Sequence, residues 1–126
     1  MRAADLPPIM RLRRAADFLA LRQGSDRLSG HCFSVRYRSN GQSSARLGMA
    51  ISKRVSKRAV DRNRLKRLIR ESFRRVRGEL PPYDLLIMAR DVAVPLPGPE
   101  LLAELDALWR RLPALKTNGR IGTMAD

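Results

Sequence analysis

Of the 26 lysines and arginines in this 126-residue chain, 12 fall in the 25 residues from Lys53 to Arg77, where only Asp61 and Glu71 are acidic. That stretch carries +10 of the formal net charge of +14. Guanidinium and ammonium groups at this density donate charge-assisted hydrogen bonds to phosphate oxygens, and the planar arginine fork also stacks on bases. Hydrolytic chemistry has no comparable set of residues. There is one histidine, His31, and one cysteine, Cys32. Asp61 and Glu71 are ten residues apart, about 80 to 100° around a helix, and Asp84 and Asp91 stand at strand ends without partners in the sequence. A protein nuclease needs a general acid and base, or carboxylates that share a divalent metal. Neither is visible, and neither a glycine-rich phosphate loop nor a nucleophile motif occurs. A single cysteine excludes an intrachain disulfide, and with one histidine it leaves no metal-ligand set.

The element that positions the cations is a helix. At 100° per residue, Leu65, Leu68, Ile69, Ser72, Phe73 and Val76 occupy one sector of somewhat over a third of the circumference, wide enough to bury against a sheet. Asn63, Arg67, Arg70 and Arg74 line the opposite side, with Arg64 and Lys66 on its flanks. A solvated helix face normally mixes signs through i,i+4 pairs. This front repeats one sign, which costs self-repulsion unless a polyanion lies across it. The linker from Lys53 to Val60 leads into the helix, and Ser56 or Asp61 is the expected cap at its start.

The remaining elements follow from periodicity and breakers. Residues 1–10 include Pro7-Pro8 and read as a flexible N-terminus. Arg11 to Gln23 reads as a short helix with Leu12, Ala15, Ala16, Leu19 and Phe18 on one face, ended by Gly24. His31 to Arg38 alternates, with Phe33, Val35 and Tyr37 on one side and Ser34, Arg36 and Arg38 on the other, as in a half-buried strand. After the Asn40-Gly41 turn, Ala45 to Ser52 is expected to pair back as a hairpin, with Leu47, Met49 and Ile51 inward. Gly78 and Pro81-Pro82 stop the cationic helix, and the apolar run Tyr83 to Ala89 suits a strand covered on both faces. Beyond the segment of Pro95, Pro97 and Pro99, Glu100 to Leu112 forms a last amphipathic helix that buries Leu101, Leu105, Leu108, Trp109 and Leu112. The tail, residues 114–126, reads as flexible. One α+β domain over 11–113 results, in the order α-β-β-α-β-α with an optional short strand near Val55, built as a mixed sheet backed by helices.

Arg62-Asn63-Arg64 followed by Leu65-Lys66-Arg67-Leu68-Ile69-Arg70-Glu71 resembles the RNR signature helix of the bacterial ribonuclease P protein component. The preceding Gly48-Met49-Ala50-Ile51-Ser52-Lys53-Arg54 is similar to the strand and basic turn that lead into it. The order of the other elements fits the family from about Leu12 to Leu112. The resemblance implies a two-layer α/β sandwich with a left-handed β-α-β crossover through the signature helix, a hand that the general rule for such units disfavours. It implies a non-catalytic subunit of a tRNA 5′-maturation endoribonuclease, in which a catalytic RNA uses Mg²⁺ and the basic protein binds both that RNA and the 5′ leader of precursor tRNA. Lys53, Arg54, Lys57, Arg58, Arg62, Asn63, Arg64, Lys66, Arg67, Arg70 and Arg74 would then bind the RNA subunit. Asn63 would make a directed hydrogen bond, to RNA or to the preceding backbone. Phe18 either packs in the core or, as the resemblance implies, matches the aromatic beside the family's leader cleft; Leu21 or Arg22 takes the place of a second aromatic, so that the aromatic part is thinner here and Arg22 would contact phosphate. Phe33, Arg36 and Tyr37 complete the leader-binding candidates; Phe33 and Tyr37 either stack on bases or fill the core beneath the helix.

The rival reading is a structural nucleic-acid binder, ribosomal or nucleoid, which shares the charge but not the signature order. A reducing cytoplasm, no membrane partner and a monomer, one per RNA, are the accompanying expectations. No apolar run approaches the roughly 18 residues of a membrane span, and the first residues show no hydrophobic block of a secretory signal.

Overall fold

The structure, a computed structural model, describes residues 25–113. The helix expected over 11–23, with Phe18 and Arg22, lies outside the described residues, as do residues 1–10 and 114–126. Four strands form: β1 (Asp26–Ser29), β2 (Phe33–Ser39), β3 (Arg46–Ala50) and β4 (Tyr83–Ala89). Helix α1 (Ala59–Val76) connects β3 to β4, and α2 (Gly98–Arg111) follows β4. Short 3₁₀ turns at Arg77–Glu79 and Asp91–Ala93 complete the described elements. The expected mixed α+β architecture is the observed one.

Strand order differs from the sequence expectation. The sheet runs β1-β2-β4-β3, with β2 antiparallel to both β1 and β4 and with β3 parallel to β4. β2 and β3 therefore do not form a hairpin. The run YDLLIMA is the most apolar strand of the chain and needs both edges paired, so it takes the central place between them. The loop from Asn40 to Ala45 must span two strand spacings, roughly 10 Å, and it arches over the start of β4. Asn40 anchors it there: its backbone N–H donates to the Pro82 carbonyl at 3.1 Å, and its side-chain amide donates to Ser44 O and Asp84 Oδ1. Gly41, at φ 67°, supplies the left-handed residue of the turn.

Three boundaries also shift. β1 has no counterpart in the sequence reading, because DRLS offers one apolar residue to any alternation. No strand forms near Val55, which instead lies in a turn with its side chain buried in the core. α1 begins at Ala59 with Arg58 in the cap position and no side-chain cap hydrogen bond, so neither Ser56 nor Asp61 caps it.

Both helices lie on one face of the sheet. α1 contributes Leu65, Ile69 and Phe73, each with no exposed surface, and α2 contributes Leu101, Leu105, Leu108 and Trp109. The sheet meets them with Phe33, Val35, Tyr37, Leu47, Leu85 and Ile87. Phe73 and Trp109 touch edge to face, with ring centroids 6.0 Å apart. Glu104 on α2 secures the turn between β1 and β2: its Oε2 accepts from the backbone N–H groups of Cys32 and Phe33, both at 2.8 Å. A Cβ at Gly30 would lie 2.6 Å from that same oxygen, so this position takes glycine.

One polar chain crosses the helix pair. Trp109 Nε1 donates to Ser72 Oγ at 2.7 Å, and the Ser72 hydroxyl donates onward to Asp106 Oδ1 at 3.0 Å. Ser72 is fully buried, so it has no water to replace either partner. Replacing Ser72 with Ala strands the indole N–H and is expected to cost about 1–3 kcal/mol in urea unfolding, with the fold retained by circular dichroism.

Candidate nucleic-acid interface

Burying Leu65, Ile69 and Phe73 turns the other side of α1 outward. Asn63, Arg67 and Arg74 are exposed, and Lys66 and Arg70 are half-buried at the margins. Among the described residues, no carboxylate pairs with Arg67, Arg70 or Arg74. Before the helix, the turn from Ser52 to Arg58 exposes Lys53, Arg54, Lys57 and Arg58. Val55 is buried between these two basic pairs and pins the turn to the core. Ser56 Oγ donates to Asp61 Oδ2 at 2.8 Å and accepts the Arg58 N–H at 3.1 Å. Arg58 Nε lies 3.9 Å from the same Asp61 oxygen, the one ion pair of the turn among the described residues.

The two signature arginines behave differently from the other cations. Arg64 sends its guanidinium across to the irregular segment before α2, where Nη2 donates to Leu96 O at 2.7 Å and Nη1 to Val94 O at 3.3 Å. Arg62 Nη1 donates to Ser56 O at 2.8 Å. Both forks satisfy carbonyls of non-repetitive backbone that no ladder could pair. Each spends one or two of its five N–H donors on the fold and keeps the rest, and Asn63 stands exposed between them.

On the sheet face opposite the two described helices, Arg27 and Arg38 are exposed and Arg36 is half-buried, while Leu86 and Gly48 are buried. The registers align Arg27, Arg36, Leu86 and Gly48 in one row across the four strands, with Arg38, Asp84 and Arg46 in another. Arg46 and Asp84 form a two-pronged pair, both contacts at 2.8 Å, and Asp84 is 5% exposed. Arg36 lies on this face as expected, half-buried. Phe33 and Tyr37 do not. Phe33 is fully buried and Tyr37 is 8% exposed, packed edge to face on Tyr83 at 5.2 Å, so neither offers a ring to a base. The side of β2 that alternation makes apolar is the side the helices cover, and its aromatics fill the core. Arg27, Arg46 and Leu86 were missed as members of this face. Period-two alternation outward from Leu47 was signal enough for Arg46, whereas Arg27 and Leu86 depend on a cross-strand register that no local pattern carries.

Among the described residues, the cysteine and the hydrogen-bonded carboxylates are taken up by the fold. Cys32 is 1% exposed, and burial, reinforced by Glu104, pushes its thiol up to about 11, which keeps it protonated and inert. Asp61, Asp84, Glu104 and Asp106 all accept hydrogen bonds from the fold. Among the described residues no three metal-ligating side chains come together. A cleft of about 480 Å³ between the end of α1 and α2 is lined by Val76, Leu80 and Trp109 with Arg75, Glu79, Asp106 and Arg110, and its charges are balanced. No helix among the described residues is long and apolar enough to cross a membrane.

Fold and surface together define a small two-layer α+β protein with one cationic helix front and one arginine-bearing sheet face. The sequence model of the ribonuclease P family matches residues 6–113. The ribonuclease P protein component of Thioalkalivibrio sulfidiphilus is 40% identical over 106 residues, spanning 84% of this chain and 88% of that protein. That of Nitrosococcus oceani is 41% identical over 101 residues, 80% and 85% of the two chains. Among solved structures, the RNase P protein of Thermotoga maritima superposes with a TM-score of 0.75 at 30% identity, over 82% of this chain and 98% of that one. The Staphylococcus aureus RNase P protein gives 0.75 at 26%, over 80% and 93%. The chain belongs to the ribonuclease P protein family.

Two outcomes follow from the geometry. Arg64→Ala, which frees the Val94 and Leu96 carbonyls, is expected to lower unfolding stability by about 1–2 kcal/mol, whereas Arg67→Ala leaves the urea midpoint within about 0.5 kcal/mol. Cys32 is expected to resist iodoacetamide in the native protein at about pH 8 and to react once urea unfolds it, followed by mass spectrometry.

Proposed function

We propose that this protein is the protein subunit of the ribonuclease P ribonucleoprotein, which cleaves precursor tRNA to make the mature 5′ end. In this reading α1 and the basic turn before it bind the catalytic RNA subunit through Lys53, Arg54, Lys57, Arg58, Asn63, Lys66, Arg67, Arg70 and Arg74. Arg62 and Arg64 join this set through the donors they do not spend on the Ser56, Val94 and Leu96 carbonyls. The single observation that carries the reading is the unpaired cationic front of α1, placed on the signature segment of a chain of this family. Seven cations on an 18-residue helix, with no carboxylate paired to Arg67, Arg70 or Arg74 among the described residues, suit a polyanion better than water.

Arg36, with Arg27 and Arg38, supports the leader-binding part of the proposal. Met88 lies half-buried on the same face, and its apolar side chain suits the flat face of an unpaired base. Phe18 and Arg22 remain proposed members of that surface. In this reading Mg²⁺ is held mainly by the RNA subunit and the precursor. The protein contributes binding and orientation, and the RNA contributes the chemistry. A cytoplasmic site of action and one protein per RNA accompany this reading.

Mixing the protein with a bacterial ribonuclease P RNA at low Mg²⁺ is expected to stimulate release of the 5′ leader from precursor tRNA; unchanged cleavage overturns the proposal and favours a structural nucleic-acid binder. Arg67→Glu is expected to weaken RNA affinity by about tenfold or more in filter binding. If some 6 to 10 phosphates are met, the logarithmic salt slope is on the order of −5 to −9, and a slope near zero removes α1 as the interface.

A further inference from the structure

The turn between β3 and α1 sets a physical problem that its sequence alone does not reveal. Lys53, Arg54, Lys57 and Arg58 are all exposed within six residues, and four like charges so close together tend to splay apart. A splayed turn would still attract RNA, but it would lose entropy on ordering and bind more weakly. The structure holds the turn closed from three sides. Val55 is buried in the core at its middle. The Ser56 hydroxyl bridges forward to Asp61 in the first turn of α1 and accepts the Arg58 N–H. Arg62 reaches back to the Ser56 carbonyl.

Asp61 is the unexpected member. It is one of only two acids in the cationic stretch, and its side chain is 22% exposed, set against Arg58. On charge alone it opposes the binding of a polyanion, so its presence needs a compensating effect. Nor does it serve as the helix cap, since Arg58 holds that position and no side chain caps it. What Asp61 does in the structure is accept the Ser56 hydroxyl.

We propose that Ser56 and Asp61 are positioning residues that fasten the basic turn to α1, so that Lys53, Arg54, Lys57 and Arg58 meet the RNA already arranged. This inference rests on the reading of α1 and its turn as the RNA interface. Neither residue needs to touch the RNA, and the pair acts by limiting the conformations of the four cations.

The test measures affinity of the full chain for a ribonuclease P RNA transcript by filter binding over a series of salt concentrations, with thermal melts of each variant. Ser56→Ala removes the hydroxyl without changing charge, and is expected to weaken binding about threefold to tenfold, the equivalent of one hydrogen bond, with an unchanged salt slope. Asp61→Asn and Asp61→Ala make the same change in charge, but only Asn keeps an acceptor for Ser56. The Ala variant is therefore expected to bind about threefold to tenfold more weakly than the Asn variant, again at equal slope. The slope separates positioning from lost phosphate contact, because removing a contact lowers it by about one. If Ser56→Ala binds as the unaltered protein does, or if Asp61→Ala and Asp61→Asn are indistinguishable, the positioning role is overturned while the interface stands. Arg67→Glu is the control: if it changes neither affinity nor slope, the interface reading itself falls.

Discussion

The structure depends on burying a narrow stripe of one very basic helix. α1 carries seven lysines and arginines against Asp61 and Glu71, and each like-charged pair at i,i+4 costs about 0.2–0.5 kcal/mol. Leu65, Ile69 and Phe73 are fully buried, and each contributes roughly 1.5–3 kcal/mol relative to exposure. The second effect is several times larger per residue, so the sheet keeps a helix that its own charges would loosen. The sheet has to be assembled around β4 for that floor to exist.

A second consequence is the division of labour among arginines of the same stretch. Side chains aimed along the helix flanks find orphan carbonyls and satisfy them, as Arg64 does at Val94 and Leu96. Those that point away from the sheet, such as Arg67, meet no acceptor among the described residues. Identical side chains two or three residues apart thus serve different ends, decided by azimuth. On the far face of the sheet the same sorting occurs, with Arg46 tied to Asp84 and Arg36 left without a carboxylate partner among the described residues.

Much of this was legible in the sequence, and the reasons for the exceptions are physical. The boundaries of β4 and the buried stripe of α1 follow from local patterns, and both match the structure at Tyr83–Ala89 and at Leu65, Ile69, Ser72 and Phe73. The cationic front follows from the same periodicity. Strand order does not, because the choice between a β2–β3 hairpin and a β4 inserted between them is settled by which strand most needs two partners. The fates of Arg62 and Arg64 were equally hidden, since their acceptors lie on irregular backbone, in the case of Arg64 some 30 residues away. For Phe33 and Tyr37, alternation defined two faces, and only the packed helices show which one is closed.

The placement of β4 also bears on the order of events at the ribosome. Among the described strands β3 has only β4 as a neighbour, yet the whole of α1 is translated between them. Until residue 89 has left the exit tunnel, the cationic helix lacks the central part of its floor, although most of its charge is already synthesised. The nascent chain is thus a polycation before it is a folded protein, with ribosomal RNA as its nearest neighbour.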